Sequence, residues 1–266
     1  KSIQRSTVKM DRGYIYLNKN NYLHNIEVLK NLSRKELCLV VKANAYGHGL
    51  EWAVKNAKES GIKWFAVASV GEGIQVKTVY GESRVLLLAE PSKNQLENVK
   101  VNDIDLTVYN ASFIDTLIKT GDEYSVHLKI DTGMHRLGCP PEKFHDLYKK
   151  IVDSNLNLIG ICTHFPLADT DETETKKSIE LFEKTISDID LSNMLLHLDN
   201  SASSLYKLDN SFNMARVGIA AYGVQITAVE NENKLIPTME IKTRVSNLQV
   251  RKKGEAVSYG KAQRLS

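Results

Sequence analysis

Short apolar runs alternate with amphipathic stretches along most of this chain, from residue 37 to residue 223. The runs have the length and aliphatic character of strands buried in a parallel sheet, and the stretches between them space apolar residues as a helix does. The predicted strands are residues 37–41, 64–68, 84–89, 106–109, 125–131, 156–164, 195–198 and 213–216. About eight repeats of strand and helix favour a closed (β/α)8 TIM barrel, an α/β fold, over an open, doubly wound sheet.

The pattern changes after residue 223. Residues 237–250 form a long β-like stretch with no helical pattern behind it, which indicates the start of a second, β-rich domain. We therefore predict a barrel domain at residues 10–228, the beginning of a C-terminal β domain at residues 229–266, and an N-terminal extension at residues 1–9.

Composition narrows the class of protein. The chain has 266 residues, 42% of them hydrophobic and 25% charged, which is ordinary for a globular protein with a full core. Its net charge of +3 is too small to predict binding to nucleic acid or to an anionic membrane surface. Cys38, Cys139 and Cys162 lack the spacing of a metal or redox site, so we expect reduced thiols and a cytoplasmic location. No apolar run reaches the ~18–20 residues of a membrane span, while a start at Lys1 leaves an upstream membrane segment open.

Polar and charged residues follow the ends of the predicted strands. The active site of a TIM barrel lies where the carboxyl ends of the strands meet. The side chains expected at this edge are Lys42, Tyr46, Lys129, Asp131, Arg136, His164, Asn200, Ser201, Arg216, Gly218 and Ile219. Burying so many cations costs free energy unless they meet each other or a polar ligand, so their joint occurrence predicts a binding site. Taken singly, Lys42 also fits a solvated loop residue and His164 a structural histidine.

Two lysines carry the strongest chemical signals. Lys42 ends a buried strand, where scarce water favours the neutral amine, a nucleophile or base. Period-two alternation places Lys129 on the inner face of its strand, close to Arg136, with only Asp131 to offset two cations. Either Lys129 is neutral or an additional anion lies beside it. The alternatives are that Lys129 points to solvent and that Arg136 pairs with Asp131.

Several hydrogen-bond donors at the carboxyl ends of the strands suit a phosphate group. Ser201 and Tyr46 offer hydroxyl groups, and the backbone N–H groups of Gly218 and Ile219 lie at the start of a short helix. The aldehyde cofactor that carries a phosphate and forms a Schiff base with a lysine is pyridoxal phosphate (PLP), and Lys42 is the candidate lysine. The sequence has no Rossmann or P-loop glycine pattern and no set of residues with the spacing of a metal site.

Several motifs, taken in this order, resemble the alanine racemases, which are barrel enzymes of PLP fold type III. The motifs are VKANAYGHG at residues 41–49, LKIDTGMHRLG at 128–138, THFPLAD at 163–169, NSA at 200–202 and ARVGIAAYG at 215–223. The first of them is long and specific, and the resemblance covers roughly residues 10–260.

The resemblance implies how the cofactor would be held. Lys42 would carry PLP as a Schiff base and, once freed, act as base on one face of Cα. The phosphate would lie against Tyr46, Ser201 and the backbone of residues 218–219. The full set of cofactor-binding residues implied is Lys42, Tyr46, Asn200, Ser201, Arg216, Gly218, Ile219 and Tyr222.

The same resemblance implies the remaining roles. Arg216 would face the pyridine nitrogen, where a permanent cation weakens the electron sink and disfavours transamination and decarboxylation. Arg136 would bind the cofactor's phenolic oxygen and the substrate carboxylate, and Lys129 would be carbamylated, which supplies the additional anion. His164 would join a hydrogen-bond chain from Arg216 to the opposing base. Lys42, Arg136 and His164 are thus the catalytic candidates.

The implied reaction interconverts L- and D-alanine, or L- and D-serine, by two-base proton transfer at Cα, and feeds D-amino acids to peptidoglycan synthesis. In the family the opposing base is a second-domain tyrosine that reaches the barrel of a partner subunit in a homodimer. Its Gly-Tyr-x-Asp-Gly motif is absent before Ser266, and Tyr259 belongs to a different element. We therefore expect this chain alone to bind PLP weakly and to racemise little or nothing. Val217 replaces a common proline, as in the membrane-linked serine racemases of vancomycin resistance, so the cytoplasmic domain of such a protein is an alternative.

Three rival functions fit part of the sequence. A single-barrel PLP carrier without racemase activity would explain the short chain, although residues 237–266 would then have no use. A decarboxylase of the same fold type would need an acidic residue where Arg216 stands. A barrel that binds sugar phosphates through Ser201 and Gly218 would form no Schiff base with Lys42.

Overall fold

The computed structural model describes residues 5–9, 13–206, 212–226 and 235–266. Eight parallel strands close into a barrel, with the last strand paired to the first. The barrel strands are β3 (Glu36–Val40), β4 (Trp64–Val67), β5 (Arg84–Leu87), β6 (Ile104–Val108), β7 (Ser125–Lys129), β8 (Asn157–Cys162), β9 (Leu195–His197) and β10 (Met214–Val217). The structure confirms the predicted (β/α)8 barrel.

Helices follow the strands and cover the outside of the barrel. They are α1 (Lys19–Ser33), α2 (Lys42–Tyr46), α3 (Leu50–Glu59), α4 (Val70–Val79), α5 (Leu96–Val101), α6 (Ala111–Thr120), α7 (Phe144–Val152), α8 (Glu172–Thr185) and α9 (Ser201–Tyr206). Helix α1 begins where the Asn18 side chain accepts the N–H of Asn21, and it ends where Arg34 takes a left-handed backbone conformation. A predicted helical turn at residues 202–208 corresponds to α9, and residues 207–208 lie outside the described part of the chain.

The core has two parts that differ in polarity. A large apolar cluster lies between the strands and the helices and includes Phe65, Phe144 and Phe182, all fully buried. A smaller apolar cluster fills one side of the barrel interior with Cys38, Val40, Trp64, Ala66, Leu86 and Met214. The other side of the interior carries buried polar side chains from β7 to β10, among them His127 and Lys129. The polar side chains of β7 to β10 and the residues that follow β3 both contribute to the cavity at the barrel mouth.

A separate antiparallel sheet joins the two ends of the chain. It consists of β1 (Arg5–Lys9), β2 (Gly13–Asn18) and β11 (Met239–Thr243), with β2 in the centre. Strands β12 (Ala256–Val257) and β13 (Gln263–Arg264) form a two-stranded sheet. Strand β11 is shorter than the β-like stretch predicted at residues 237–250, and residues 244–250 are exposed. The predicted boundaries at residue 10 and between residues 228 and 229 lie outside the described residues, so the division into domains stays a prediction.

Among the described helices, none is both long and apolar enough to cross a membrane.

Candidate active site

A cavity of about 510 Å³ opens at the carboxyl ends of the barrel strands. This volume is within the range of about 300–1,000 Å³ that is usual for small-molecule sites. The predicted site residues that line it are Lys42, Tyr46, Lys129, Arg136, His164, Asn200, Ser201, Arg216, Gly218 and Ile219. The structure therefore brings these residues together from five segments of the chain that are distant in sequence.

Lys42 enters the cavity from an unusual backbone turn. The four residues after it, from Ala43 to Tyr46, have φ values of 52° to 54°, the left-handed region that non-glycine residues rarely adopt. Glu72 holds this turn, because its carboxylate accepts the N–H of Ala43 at 2.7 Å and that of Ala68 at 2.9 Å. Glu72 is not among the site residues predicted from the sequence. Its signal was the Ser-x-x-Glu pattern at the start of α4, where Ser69 caps the helix but the glutamate bonds elsewhere.

Tyr46, Ser201 and Gly218 converge on one corner of the cavity. The Ser201 hydroxyl oxygen accepts the N–H of Gly218 at 2.9 Å. A Cβ atom built on Gly218 would lie 2.3 Å from the Tyr46 hydroxyl oxygen. Since only a glycine leaves room for the tyrosine hydroxyl here, this corner is a tight cradle of hydroxyl and N–H groups that suits a small anion.

We expect Gly218→Ala to weaken PLP binding by about tenfold, equivalent to ~1.4 kcal/mol. The new methyl group would displace the Tyr46 hydroxyl from the cradle while the barrel remains folded, because the clash is with the end of a side chain. Fluorescence titration with PLP measures the effect. Gly71→Ala in α4 is the control, since its Cβ atom would meet nothing within 4 Å. An unchanged affinity in Gly218→Ala would contradict this placement of the phosphate.

Asn200 and Tyr222, both predicted to bind the cofactor, contact other residues of the protein. The Asn200 side-chain oxygen accepts the N–H groups of Ala202 and Ser203 and so caps α9, which begins at Ser201. Tyr222 does not line the cavity: its ring centroid lies 5.4 Å from that of Tyr46, which does. Tyr222 therefore packs against Tyr46, and its predicted contact with the cofactor stays a prediction.

The cavity wall is strongly cationic. Lys42, Lys129, Arg136 and Arg216 line it, and the carboxylate of Asp169 is the acidic group among the described lining residues. Asp131 accepts the N–H groups of Gly133 and His135 and so shapes the loop that carries Arg136. Its charge also acts on Lys129, because it opposes the lowering of the lysine pKa. Such an excess of positive charge requires anionic ligands, and a phosphate and a substrate carboxylate would meet that requirement.

Lys129 is nearly buried, with 8% of its surface exposed. Burial lowers the pKa of its ammonium group, and the neighbouring Arg216 and Arg136 lower it further. The neutral amine is the form that reacts with carbon dioxide to give a carbamate. The predicted carbamylation of Lys129 is consistent with this environment and stays a prediction.

Arg216 is the most heavily bonded side chain of the site. Its guanidinium donates to the carbonyl oxygens of Thr163 and His197 and to Nδ1 of His197, each at 2.5 Å. Nδ1 of His164 lies 3.3 Å away. Burial lowers the pKa of His164 to about 3, with further contributions from four surrounding cations, so this ring is neutral and accepts hydrogen bonds near neutral pH.

His197, which was not predicted from the sequence, lines the cavity beside Arg216. Its only signal was a position at the end of the short predicted strand at residues 195–198, where a single histidine is ambiguous. In the described part of the chain, no group of three or more His, Cys, Asp or Glu side chains is arranged to hold a metal ion.

Comparisons of the sequence and of the structure with known proteins agree on one family. The family model described as alanine racemase, N-terminal domain, matches residues 17–226. Alanine racemase of Treponema denticola is 35% identical over an alignment of 255 positions, which covers 90% of this chain and 67% of that protein. Among solved structures, the biosynthetic alanine racemase of Pseudomonas aeruginosa superposes with a TM-score of 0.88 at 26% identity, covering 95% of this chain and 72% of that one. Alanine racemase of Bacillus anthracis with bound L-Ala-P gives a TM-score of 0.85 at 27% identity, covering 97% and 71%. The chain thus spans about two thirds of the length of the T. denticola relative.

Proposed function

The chain belongs to the alanine racemase family, and on that premise we propose that it binds PLP on Lys42 and interconverts the enantiomers of alanine. The observation that carries the proposal is the cationic cavity in which Lys42 faces the cradle of Tyr46, Ser201 and Gly218. Alanine is the substrate named for the relatives, and serine is the alternative to be tested beside it. The D-alanine produced would feed peptidoglycan synthesis.

The residues present fit the cofactor. The cradle would hold the phosphate, Arg216 would lie against the pyridine nitrogen, and Arg136 would bind the substrate carboxylate. When bound, PLP supplies an electron sink that makes the Cα hydrogen of the amino acid acidic. A permanent cation at Arg216 keeps a proton off the ring nitrogen, which limits the sink to proton exchange and disfavours the decarboxylation and transamination that a rival enzyme would perform.

Lys42 would move a proton at Cα on one face of the substrate. The opposite face needs a second base, and Tyr46 is the tyrosine among the described lining residues, on the same turn as Lys42. Tyr259 is fully exposed and does not line the cavity. We therefore infer that the second base is a second-domain tyrosine of a partner subunit, outside residues 1–266, as the resemblance implies.

The assignment of one base to Lys42 and the other to a partner subunit can be tested by hydrogen exchange at Cα. The 266-residue chain with PLP, incubated in deuterium oxide, should exchange the Cα hydrogen of one alanine enantiomer while inverting it much more slowly. Lys42→Ala controls for exchange by free cofactor, and serine is run in parallel. A PLP carrier would exchange neither enantiomer. Inversion at the order of 1–10³ s⁻¹ that is common for enzymes would show instead that both bases lie in this chain.

We place the protein in the cytoplasm. Cys38, Cys139 and Cys162 are all buried and free, which supports a reducing compartment. The membrane-linked serine racemase of vancomycin resistance is a narrower assignment that the serine arm of the exchange experiment addresses.

A further inference from the structure

A pair of buried histidines continues from Arg216 into the barrel interior. Nε2 of His197 lies 2.8 Å from Nδ1 of His127, and both rings are fully buried. Nε2 of His127 has no hydrogen-bond partner among the described residues. His127 does not line the cavity, so its polar contact with His197 is unexplained by the proposed reaction alone.

The protonation of both rings follows from Arg216. A guanidinium only donates hydrogen bonds, so Nδ1 of His197 must accept and its proton must be on Nε2. That Nε2–H then donates to Nδ1 of His127, whose own proton is left on Nε2. Burial, with the nearby Arg84 and Arg216, lowers the pKa of His127 to about 3, and burial also lowers that of His197, so both rings are neutral.

The orphaned N–H of His127 has an aromatic neighbour. The His127 ring meets the Trp64 ring edge to face, with centroids 5.8 Å apart and an interplanar angle of 90°. An N–H group near an aromatic face is a weak donor contact, worth less than an ordinary hydrogen bond. The buried Nε2–H of His127 therefore has no ordinary hydrogen bond among the described residues, while its Nδ1 accepts from His197.

The fold makes space for this ring. A Cβ atom on Gly160 would lie 2.3 Å from Nδ1 of His127 and 2.8 Å from the carbonyl oxygen of Leu195. The pairing of β7 with β8 also shifts register at this point, from Val126 opposite Leu158 to His127 opposite Gly160. Bulges of this kind re-aim side chains next to functional sites. A glycine and a bulge at one place indicate that the position of the His127 ring is built into the barrel.

We propose that His127 is a positioning residue for Arg216. By accepting from Nε2 of His197, it keeps Nδ1 of His197 as an acceptor and so fixes the direction of the guanidinium at the cavity. With the proton on Nδ1 instead, two donors would face each other, at a cost of about 1–3 kcal/mol for an unsatisfied buried group. The consequence for the cofactor rests on the proposed function, in which Arg216 lies against the pyridine nitrogen.

Three substitutions at position 127 separate acceptor geometry from bulk. His127→Leu removes the acceptor. His127→Asn keeps an oxygen close to the place of Nδ1, and His127→Gln places its amide near Nε2 instead. The first readout is the ¹⁵N chemical shifts of the His197 ring in the chain without PLP, which report the tautomer directly. The second is PLP affinity by fluorescence titration.

We expect the wild-type chain and His127→Asn to keep His197 protonated on Nε2, and their PLP affinities to agree within about twofold. His127→Leu and His127→Gln should give a mixed tautomer and a PLP affinity weaker by about tenfold, the factor that corresponds to ~1.4 kcal/mol. If His127→Leu does not fold, the comparison of His127→Asn with His127→Gln decides whether His127 positions Arg216.

The proposal is overturned if every foldable variant leaves the His197 shifts and the PLP affinity unchanged. It fails equally if the affinities fall while the tautomer does not change, because His127 would then act only through packing. A wild-type chain that binds no PLP would refute the proposed function, while the tautomer measurement on the free chain would still decide the role of His127.

Discussion

Replacing Lys42 with alanine is expected to abolish covalent attachment of PLP and to lower Cα–hydrogen exchange by a factor on the order of 10²–10⁴, the contribution of a positioned base. The Lys42 side chain lines the cavity, and no hydrogen bond or ion pair joins it to a residue that the structure describes. Its removal also relieves repulsion with the three other cations of the wall. We therefore expect the free energy of unfolding to change by no more than about 0.5 kcal/mol.

Two measurements separate the loss of chemistry from a loss of structure. Borohydride reduction of the PLP-loaded wild-type chain should fix the cofactor on the peptide that contains Lys42, as seen by mass spectrometry, and the Lys42→Ala chain should retain no cofactor mass. Lys93→Ala, at an exposed position, is the matched control and should behave as the wild type does. A cofactor-sized adduct that persists in Lys42→Ala would place the attachment on another lysine, and the absence of any adduct in the wild type would favour a sugar-phosphate site.

The barrel could be predicted because its signal is local. Runs of aliphatic residues mark buried strands wherever they occur, and predicted residues 37–41 differ from β3 (Glu36–Val40) by one position at each end. The gathering of Lys42, Ser201 and Arg216 followed from the same pattern, because parallel strands deliver their carboxyl ends to one edge. The sequence also resembled the family closely enough to name the cofactor.

Contacts that depend on register across the barrel could not be predicted. Glu72 holds the Lys42 turn from 29 residues away, and His127 meets His197 across 70 residues. Gly160 leaves space for the His127 ring. The local sequence pattern does not distinguish such a glycine from one in an ordinary turn. The extent of β11 was overestimated, because β-branched residues at 244–250 resemble a strand although they are exposed.

Arg216 has two roles that substitution can separate: its hydrogen bonds stabilise the barrel, and its positive charge would act on the cofactor. Arg216 is 6% exposed, and its guanidinium satisfies the carbonyl oxygens of Thr163 and His197 inside the barrel. Each acceptor left without a donor costs about 1–3 kcal/mol, so both Arg216→Lys and Arg216→Glu should lower stability measurably. The two variants differ in charge: lysine keeps a cation beside the cofactor's ring nitrogen, whereas glutamate would favour a proton on that nitrogen and a stronger electron sink.

We therefore expect Arg216→Glu to convert alanine to pyruvate by transamination at least about tenfold faster than Arg216→Lys does, equivalent to ~1.4 kcal/mol in the barrier. Pyruvate is measured with a coupled dehydrogenase, and thermal unfolding of both variants shows whether they are compared in the folded state. Lysine can still donate to the carbonyl oxygens of Thr163 and His197 and glutamate cannot, so the difference in pyruvate formation reports the charge only where both variants are shown to be folded. Equal pyruvate formation in the two variants would mean that Arg216 does not face the ring nitrogen. That result would favour a decarboxylase or a PLP carrier as the function of this barrel.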